Sequence, residues 1–250
     1  MKTVFFTIAD QANLGYAKMM EKSLKYFHPE AELRIYTEKE LKKTGIEPPR
    51  IFYLSAPYFA DKLFNEGYDT VIKIDADSIV LSDLSEVFDD NSYDVGTVMN
   101  WNRVDPLKFG LIDLCTISPQ EYYNNGFVVL KNRKFVDEWL RLCFTKHFDK
   151  MPFREQGFLN IVSHYFDFKV KCLDKGGSWW GLISKGEWLK TVMREGKVII
   201  PKSEDGFPNM DIWLRVIHWA GGANEPKMKY KQNFPEDVIQ FLNKVTGGYE

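Results

Sequence analysis

Strand-like and helix-like patterns alternate from the first residue to about residue 100, and this alternation limits the fold more than any other feature of the sequence. Because alternating strands and helices build parallel sheets covered on both faces, an α/β fold is predicted, with a Rossmann-like, mostly parallel central sheet flanked by helices. The predicted strands are Thr3–Ala9, Leu33–Tyr36, Ile51–Leu54, Thr70–Ile74 and Asp94–Val98, and helical spacing covers residues 14–27, 38–43, 57–64 and 82–88.

The remainder of the chain is less regular. After a long irregular stretch that begins near residue 100, the sequence predicts an apolar strand at Gly126–Leu130 and helices at residues 135–148, 155–165 and 237–245. No linker, internal repeat or low-complexity segment divides the chain. Since 250 residues are enough for one sizeable core, residues 1–250 are predicted to form a single domain.

Composition excludes several classes of protein. A formal charge of -2 gives no overall attraction for nucleic acid, so no nucleic-acid partner is expected. No run approaches the roughly 18 apolar residues of a membrane helix, and Asp10 interrupts the first apolar stretch too early for a signal peptide. Cys115, Cys143 and Cys172 are widely spaced, which argues against a disulfide framework or zinc ribbon. A cytoplasmic location is therefore expected, and the oligomeric state is left open.

Two acidic residues follow the apolar strand Thr70–Ile74. Asp75 and Asp77 are separated only by Ala76, and apolar character resumes at Ile79. Two carboxylates that leave the end of a buried strand can bind one hard cation, whose open side then takes a diphosphate. The same spacing also occurs in turns and helix caps, but a solvated turn does not usually have apolar strand on both sides.

Four segments in the same order resemble the glycogenin-type retaining glycosyltransferases of family 8, which have a GT-A fold. The segment KIDADSIVL resembles the family's strand that ends in Asp-x-Asp, and NNGFVVL resembles its Asn-Ser-Gly strand. EQGFLN is similar to the Asp-Gln-x-x-Leu-Asn helix start, and IHWAGG to the His-x-x-Gly segment. The resemblance implies that residues 1–100 form a nucleotide-binding half and residues 101–250 a donor-sugar and acceptor half.

The resemblance implies a metal site of three protein ligands, Asp75, Asp77 and His218. Nitrogen ligation beside two carboxylates favours Mn²⁺ over Mg²⁺, which is the alternative ion. The Gly-Gly turn that contains Gly221 could wrap a phosphate. Lys227 is the nearest match to a family lysine that meets the diphosphate, although it lies later in the chain than expected.

The donor sugar is expected beside the middle segments. Asn124 and Asn125 can bind sugar hydroxyls, and Gly126 allows close approach of the backbone. Glu155 and Gln156 are the groups expected nearest the reacting carbon, and Glu155 stands where the family has aspartate.

The nucleotide is expected at the first loop. Thr7, Ala9 and Asp10 resemble the family's nucleotide-binding loop, in which Asp10 accepts a hydrogen bond from uracil or ribose. Lys62 resembles a basic residue upstream of the metal motif that reaches the donor, although its spacing to that motif is shorter here. Trp179 and Trp180 either stack on an acceptor sugar or pack under a loop.

The resemblance predicts a metal-dependent hexosyltransferase that uses a UDP-sugar and retains the anomeric configuration. In this reading the protein supplies positioning and electrostatic stabilisation of the leaving group, and the acceptor is a glycan, a lipid-linked molecule or a small molecule. Two alternatives are a phosphatase of the haloacid dehalogenase type, whose nucleophile also lies in Asp-x-Asp, and a nucleotide-sugar-binding protein without turnover.

Overall fold

The computed structural model describes residues 1–45, 50–100, 121–151, 153–181, 190–204, 208–218 and 234–248, with backbone only at 50–53. Its helices are α1 (Leu14–Phe27), α2 (Glu38–Lys42), α3 (Arg50–Asn65), α4 (Ser85–Asp89), α5 (Arg133–Cys143), α6 (Glu155–Tyr165) and α7 (Glu236–Thr246), with a 3₁₀ turn at Phe148–Lys150. Its strands are β1 (Thr3–Ile8), β2 (Leu33–Tyr36), β3 (Thr70–Ile74), β4 (Ser78–Val80), β5 (Val95–Met99), β6 (Tyr123–Leu130), β7 (Val170–Cys172), β8 (Ser178–Trp179), β9 (Val192–Arg194), β10 (Lys197–Ile200), β11 (Ile212–Leu214) and β12 (Val216–His218).

Six strands form the central sheet, in the order β2-β1-β3-β6-β5-β7. The pairs β1–β2, β1–β3 and β5–β7 are parallel, whereas β6 runs antiparallel to both of its neighbours. The predicted α/β fold with a mostly parallel central sheet is therefore confirmed, but β6 departs from the parallel pattern. Since β6 is reversed, its first residues, and not its last, lie at the edge where β1 and β3 end.

Alternate residues of the central strands enter two different hydrophobic cores. Val4 and Phe6 of β1, with Val71 of β3, belong to the core that contains side chains of α3, α5 and α6. Phe5 and Ile72 point to the opposite face and join the core that contains Met20 and Leu24 of α1. This alternation follows from the two-residue period of a strand, and it explains why the strand sequences are almost continuously apolar.

Two smaller sheets complete the fold. Strands β8, β11, β10 and β9 form a four-stranded sheet, and β4 pairs antiparallel with β12. The β4–β12 pair joins the segment just after β3 to residues 216–218, which are distant in the sequence. No helix in the part of the chain that the structure describes combines bilayer-spanning length with an apolar sequence.

The predicted strand at Ile51–Leu54 is wrong, because these residues lie within α3. The helix predicted to begin at Pro57 begins at Arg50 instead, so that Pro57 lies inside α3. The apolar run at 51–54 is short, and periodicity alone does not separate a short buried strand from a buried helical turn. The other predicted elements are present, with bounds shifted by a few residues, and the predicted helix at 135–148 ends at Cys143.

Asn160 joins α6 to the first residue of β6. Its Oδ1 accepts a hydrogen bond from the Tyr123 backbone N–H at 2.7 Å, and its Nδ2 donates to the carbonyl oxygens of Tyr123 and Gln156 at 2.9 and 2.8 Å. The side chain is fully buried. Because buried backbone groups need partners, Asn160 fixes the start of α6 against the start of β6.

Replacement of Asn160 by alanine is expected to lower the free energy of unfolding by about 1–3 kcal/mol, since it leaves partly buried backbone groups of Tyr123 without a side-chain partner. Urea unfolding followed by circular dichroism measures the change. Asn91→Ala at an exposed position is the matched control, and its effect should stay within about 0.5 kcal/mol. Equal effects of the two variants would contradict this role of Asn160.

Candidate active site

Asp75 and Asp77 lie in the turn between β3 and β4, at the edge where the parallel strands of the sheet end. The Asp75 backbone N–H donates to the Gly126 carbonyl at 2.8 Å, and the Ser78 N–H donates to the Asp75 carbonyl at 3.1 Å. Ala76, between the acids, is buried and packs with Ala9 and Ala17. The turn is thus fixed on one side by β6 and on the other by the end of β1 and by α1.

His218 is the last residue of β12 and lies opposite Ser78 in the β4–β12 pair. Its Nε2 is 3.2 Å from Asp75 Oδ2 and 3.3 Å from Asp77 Oδ1, and the side chain is almost fully buried. The structure therefore brings together the three residues that were predicted as metal ligands. One donor atom from each of them lies within 4.8 Å of the other two.

The charges of the two acids keep the imidazole of His218 basic. Burial lowers its pKa, but Asp77 and Asp75 raise it, Lys73 lowers it, and the net shift is upward. Without an ion, a protonated imidazole is thus favoured between the carboxylates. A divalent cation binds the neutral imidazole and would replace that proton.

The donor set fits a divalent metal. Two carboxylates and one imidazole nitrogen suit a borderline ion such as Mn²⁺, and three protein ligands leave coordination positions for a substrate. Nδ1 of His218 is buried and has no hydrogen-bond partner among the described residues.

Gly126 makes room for His218. A Cβ atom at this position would lie 2.4 Å from His218 Nδ1 and 2.6 Å from Cε1. The Gly126 N–H also donates to Asn124 Oδ1 at 2.7 Å. Glycine is therefore required here by the close approach of an imidazole rather than by an unusual backbone angle.

Four predicted donor-sugar residues lie at the start of β6 and the start of α6. Asn125 Nδ2 donates to Glu155 Oε1 at 3.1 Å, and the Asn125 N–H donates to Gln156 Oε1 at 3.2 Å. Asn124 Nδ2 donates to Asn100 Oδ1 at 3.1 Å. These contacts connect β6, α6 and the end of β5 beside the metal-ligand cluster.

Glu155 carries a carboxyl oxygen with unused hydrogen-bonding capacity. The side chain is partly exposed, but Oε2 is inaccessible to solvent and has no partner among the described residues. Burial raises the pKa of this carboxyl to about 8, although Lys73 and Asn125 act in the opposite direction. At neutral pH the group is therefore largely protonated, and its O–H can donate a hydrogen bond.

Two residues with strained backbone angles precede α6. Phe153 and Arg154 have φ values of 54° and 48°, in the left-handed region that non-glycine residues rarely occupy. Phe153 is also an exposed aromatic residue. Strain of this kind is found where a structure holds a functional segment in place, and here the segment begins with Glu155 and Gln156.

The first loop borders a surface cavity of about 510 Å³, which Ala9, Asp10 and residues of α2 line. Asp10 Oδ1 accepts hydrogen bonds from the Asn13 N–H at 2.8 Å and from Asn13 Nδ2 at 2.7 Å. Thr7 is fully buried, and its hydroxyl has no partner among the described residues. Since Ala9 also packs against Ala76, this cavity lies at the same sheet edge as the acids.

Solved structures of glycosyltransferases resemble this fold across most of the chain. The galactosyltransferase LgtC, in complex with donor and acceptor sugar analogues, has a TM-score of 0.52 and 15% identity, and the match covers 95% of this chain and 99% of that one. Mouse xyloside xylosyltransferase 1 gives 0.52 and 10% identity over 90% of this chain and 99% of that one. The protein has a GT-A glycosyltransferase fold.

A third structure with the GT-A fold, the bifunctional glycosyltransferase WbbM, gives a TM-score of 0.52 and 16% identity over 93% of this chain. The match covers 52% of WbbM, so this chain spans about half the length of that protein. No protein-family model and no curated protein matches the sequence. At these identities the comparisons establish the fold alone.

Of the remaining predicted residues, the structure describes Lys62, Trp179 and Trp180. Lys62 lies near the end of α3, with Nζ 3.9 Å from Glu66 Oε1 and 5.7 Å from the ring centroid of Tyr36, and neither of these partners is a metal-ligand candidate. Trp179 and Trp180 are buried, which favours packing over stacking on an acceptor. Gly221 and Lys227 lie outside the described residues.

Lys73 and Asn100 were not predicted as site residues, yet both contact predicted ones. Lys73 Nζ lies 2.5 Å from Asp75 Oδ1. A lysine in the apolar strand Thr70–Ile74 was a visible signal for Lys73. Asn100 had no such signal, because its place depends on how β5 pairs with β6.

Gly126→Ala is expected to lower the free energy of unfolding by about 1–3 kcal/mol, because the new methyl group overlaps the His218 ring. The same change in a His218→Ala background should cost clearly less, since the ring is absent there. Urea unfolding of the wild type, both single variants and the double variant measures the coupling. Additive effects would contradict the contact. Mn²⁺ affinity should also fall by about tenfold or more.

The stability contributed by Glu155 should decrease as pH rises. Its pKa is raised to about 8 in the folded protein from an ordinary value of 4.5, so the folded state alone holds the proton between these values. Stability is therefore lost from about pH 4.5 to pH 8. Glu155→Gln should reduce this loss by on the order of a few kcal/mol, as measured by urea unfolding at pH 5 and pH 8.

Glu30→Gln, at an exposed position, is the control for this experiment. It should keep the wild-type difference between pH 5 and pH 8. A Glu155→Gln variant with the wild-type pH dependence would mean that Glu155 is ionised throughout this range.

Proposed function

We propose that the protein is a metal-dependent glycosyltransferase that transfers a hexosyl group from a UDP-sugar to an acceptor hydroxyl with retention of configuration. The observation that carries the proposal is the cluster of Asp75, Asp77 and His218 in a GT-A fold, beside the polar residues of β6 and α6. The finer resemblance to family 8, including its glycogenin-type members, motivates the choice of UDP and of retention.

The cluster would hold Mn²⁺ through Asp75 Oδ2, an oxygen of Asp77 and His218 Nε2. When bound, the metal supplies positive charge to the departing nucleoside diphosphate. The protein contributes the fixed positions of the ligands, because β4 and β12 hold His218 against the turn and Gly126 allows its ring to approach. Preorganised groups of this kind need little reorganisation during the reaction.

Donor-sugar hydroxyls are proposed to bind the amides of Asn124, Asn125 and Gln156 and the carboxyl of Glu155. The buried Oε2 of Glu155 has no partner among the described residues, and a protonated carboxyl can donate to a sugar oxygen there. Asn125 donates hydrogen bonds to Glu155 and Gln156, so the sugar would contact side chains that are already held in position. Their proposed role is to orient the anomeric carbon toward the acceptor.

The nucleotide is proposed to bind at the end of β1, where Thr7, Ala9 and Asp10 lie. The cavity beside Asp10 could hold the base or ribose. Gly221 and Lys227 remain predicted contacts of the diphosphate. The acceptor is proposed to be a glycan, a lipid-linked molecule or a small molecule.

A panel of UDP-, GDP- and ADP-sugars tests the function. The protein should release the nucleoside diphosphate from one of them with Mn²⁺, and EDTA should abolish the release. Failure to bind any nucleotide sugar, or release that continues in EDTA, would contradict the proposal. Phosphate release from simple phosphomonoesters would favour a phosphatase instead.

Asp77→Asn should lower this activity about 100-fold or more, because the variant loses a negatively charged metal ligand. Mn²⁺ affinity, measured by titration calorimetry, should fall with it. Asp89→Asn, on the exposed side of α4, removes the same charge away from the cluster and should leave both quantities unchanged. Wild-type Mn²⁺ affinity in Asp77→Asn would exclude Asp77 as a ligand.

A further inference from the structure

Lys73 is a charged residue in an otherwise apolar, fully buried strand. It is 5% exposed, and burial of an ammonium group is costly unless the group is paired and hydrogen-bonded. Its Nζ lies 2.5 Å from Asp75 Oδ1 and 2.5 Å from the Asn125 carbonyl oxygen. Lys73 thus connects a predicted metal ligand on one strand with a predicted sugar contact on the next.

The contact divides the two oxygens of Asp75 between different partners. Oδ1 accepts from Lys73, whereas Oδ2 faces His218 Nε2 at 3.2 Å. Only Oδ2 is therefore directed toward the cluster. In this arrangement Asp75 offers a cation only one oxygen, because the ammonium group holds Oδ1 away from the cluster.

Lys73 also changes the charge of the cluster. In the metal-bound site the imidazole is neutral, and two carboxylates, one ammonium group and a divalent cation then add up to a net positive charge. The same ammonium group repels the cation and attracts a diphosphate. Removal of the ammonium group should therefore raise the affinity for the cation and lower the affinity for the diphosphate. Loss of structure would instead lower both affinities, so the two explanations can be distinguished.

We propose that Lys73 is a positioning residue that limits Asp75 to one metal-facing oxygen and shifts the site's preference from the free cation toward the nucleotide diphosphate. This inference rests on the proposed function. Lys73 weakens metal binding in the nucleotide-free protein and strengthens diphosphate binding in the metal-free protein. The metal therefore binds more tightly when the diphosphate is present than when it is absent.

Titration calorimetry with Mn²⁺ alone, and with UDP in EDTA, tests the proposal in the full chain. For Lys73→Met, the affinity for Mn²⁺ should rise about tenfold and the affinity for UDP should fall about tenfold, as expected from the loss of one nearby positive charge. A parallel loss of both affinities in a folded variant would show a structural role only, and would overturn the proposal. Unchanged Mn²⁺ affinity would overturn it as well.

Two further variants separate charge from packing. Lys73→Gln keeps a hydrogen-bond donor without the charge and should change both affinities in the same directions as Lys73→Met. Lys73→Arg keeps the charge and should retain the wild-type order of affinities. Circular dichroism identifies any variant that does not fold.

The wild-type protein gives an independent test that needs no variant. Mn²⁺ should bind at least about tenfold more tightly in the presence of UDP than in its absence, since the diphosphate adds negative charge to the site. Equal affinities in a protein that binds UDP would overturn the proposal.

Failure of the proposed function has a different signature. In that case UDP, GDP and ADP would bind in no state of the protein. The Mn²⁺ titration of Lys73→Met would still report on Lys73, because it uses the metal alone.

Discussion

The site depends on the pairing of two three-residue strands, β4 and β12. This antiparallel pair places His218 opposite Ser78 and so beside the Asp75–Asp77 turn. Neither strand belongs to the central sheet, and without their pairing the two carboxylates would lack their nitrogen partner. A few backbone hydrogen bonds therefore decide whether this edge of the sheet has two candidate ligands or three.

The parts of the site predicted from sequence are those with a local signal. Asp75 and Asp77 follow an apolar strand directly, and Glu155 begins a helix whose bounds the sequence predicted. His218 had no local signal of this strength. Its role was predicted only from the resemblance of its segment to a family, and the structure brings it to the acids.

The features that sequence missed depend on distant parts of the chain. The apolar run at residues 127–130 of β6 indicates burial on both faces, but it does not indicate the direction of the strand, and β6 is antiparallel. Residues 51–54 were too few to distinguish a strand from part of α3. The contact of Lys73 with Asp75 is local in sequence, but its burial depends on Asn125 of the neighbouring strand.

The β4–β12 pair also has a consequence for the order of folding. Asp75 and His218 come from distant parts of the chain, and contacts between such segments form only after a large loop has closed. The central sheet does not include β12, and the ligand cluster is complete only when β12 has paired with β4. A cation bound there would bridge the two segments and hold β12 in place, since a ligand of the closed state suppresses local opening. Metal binding would thus act as a cross-link between the early and late parts of the chain.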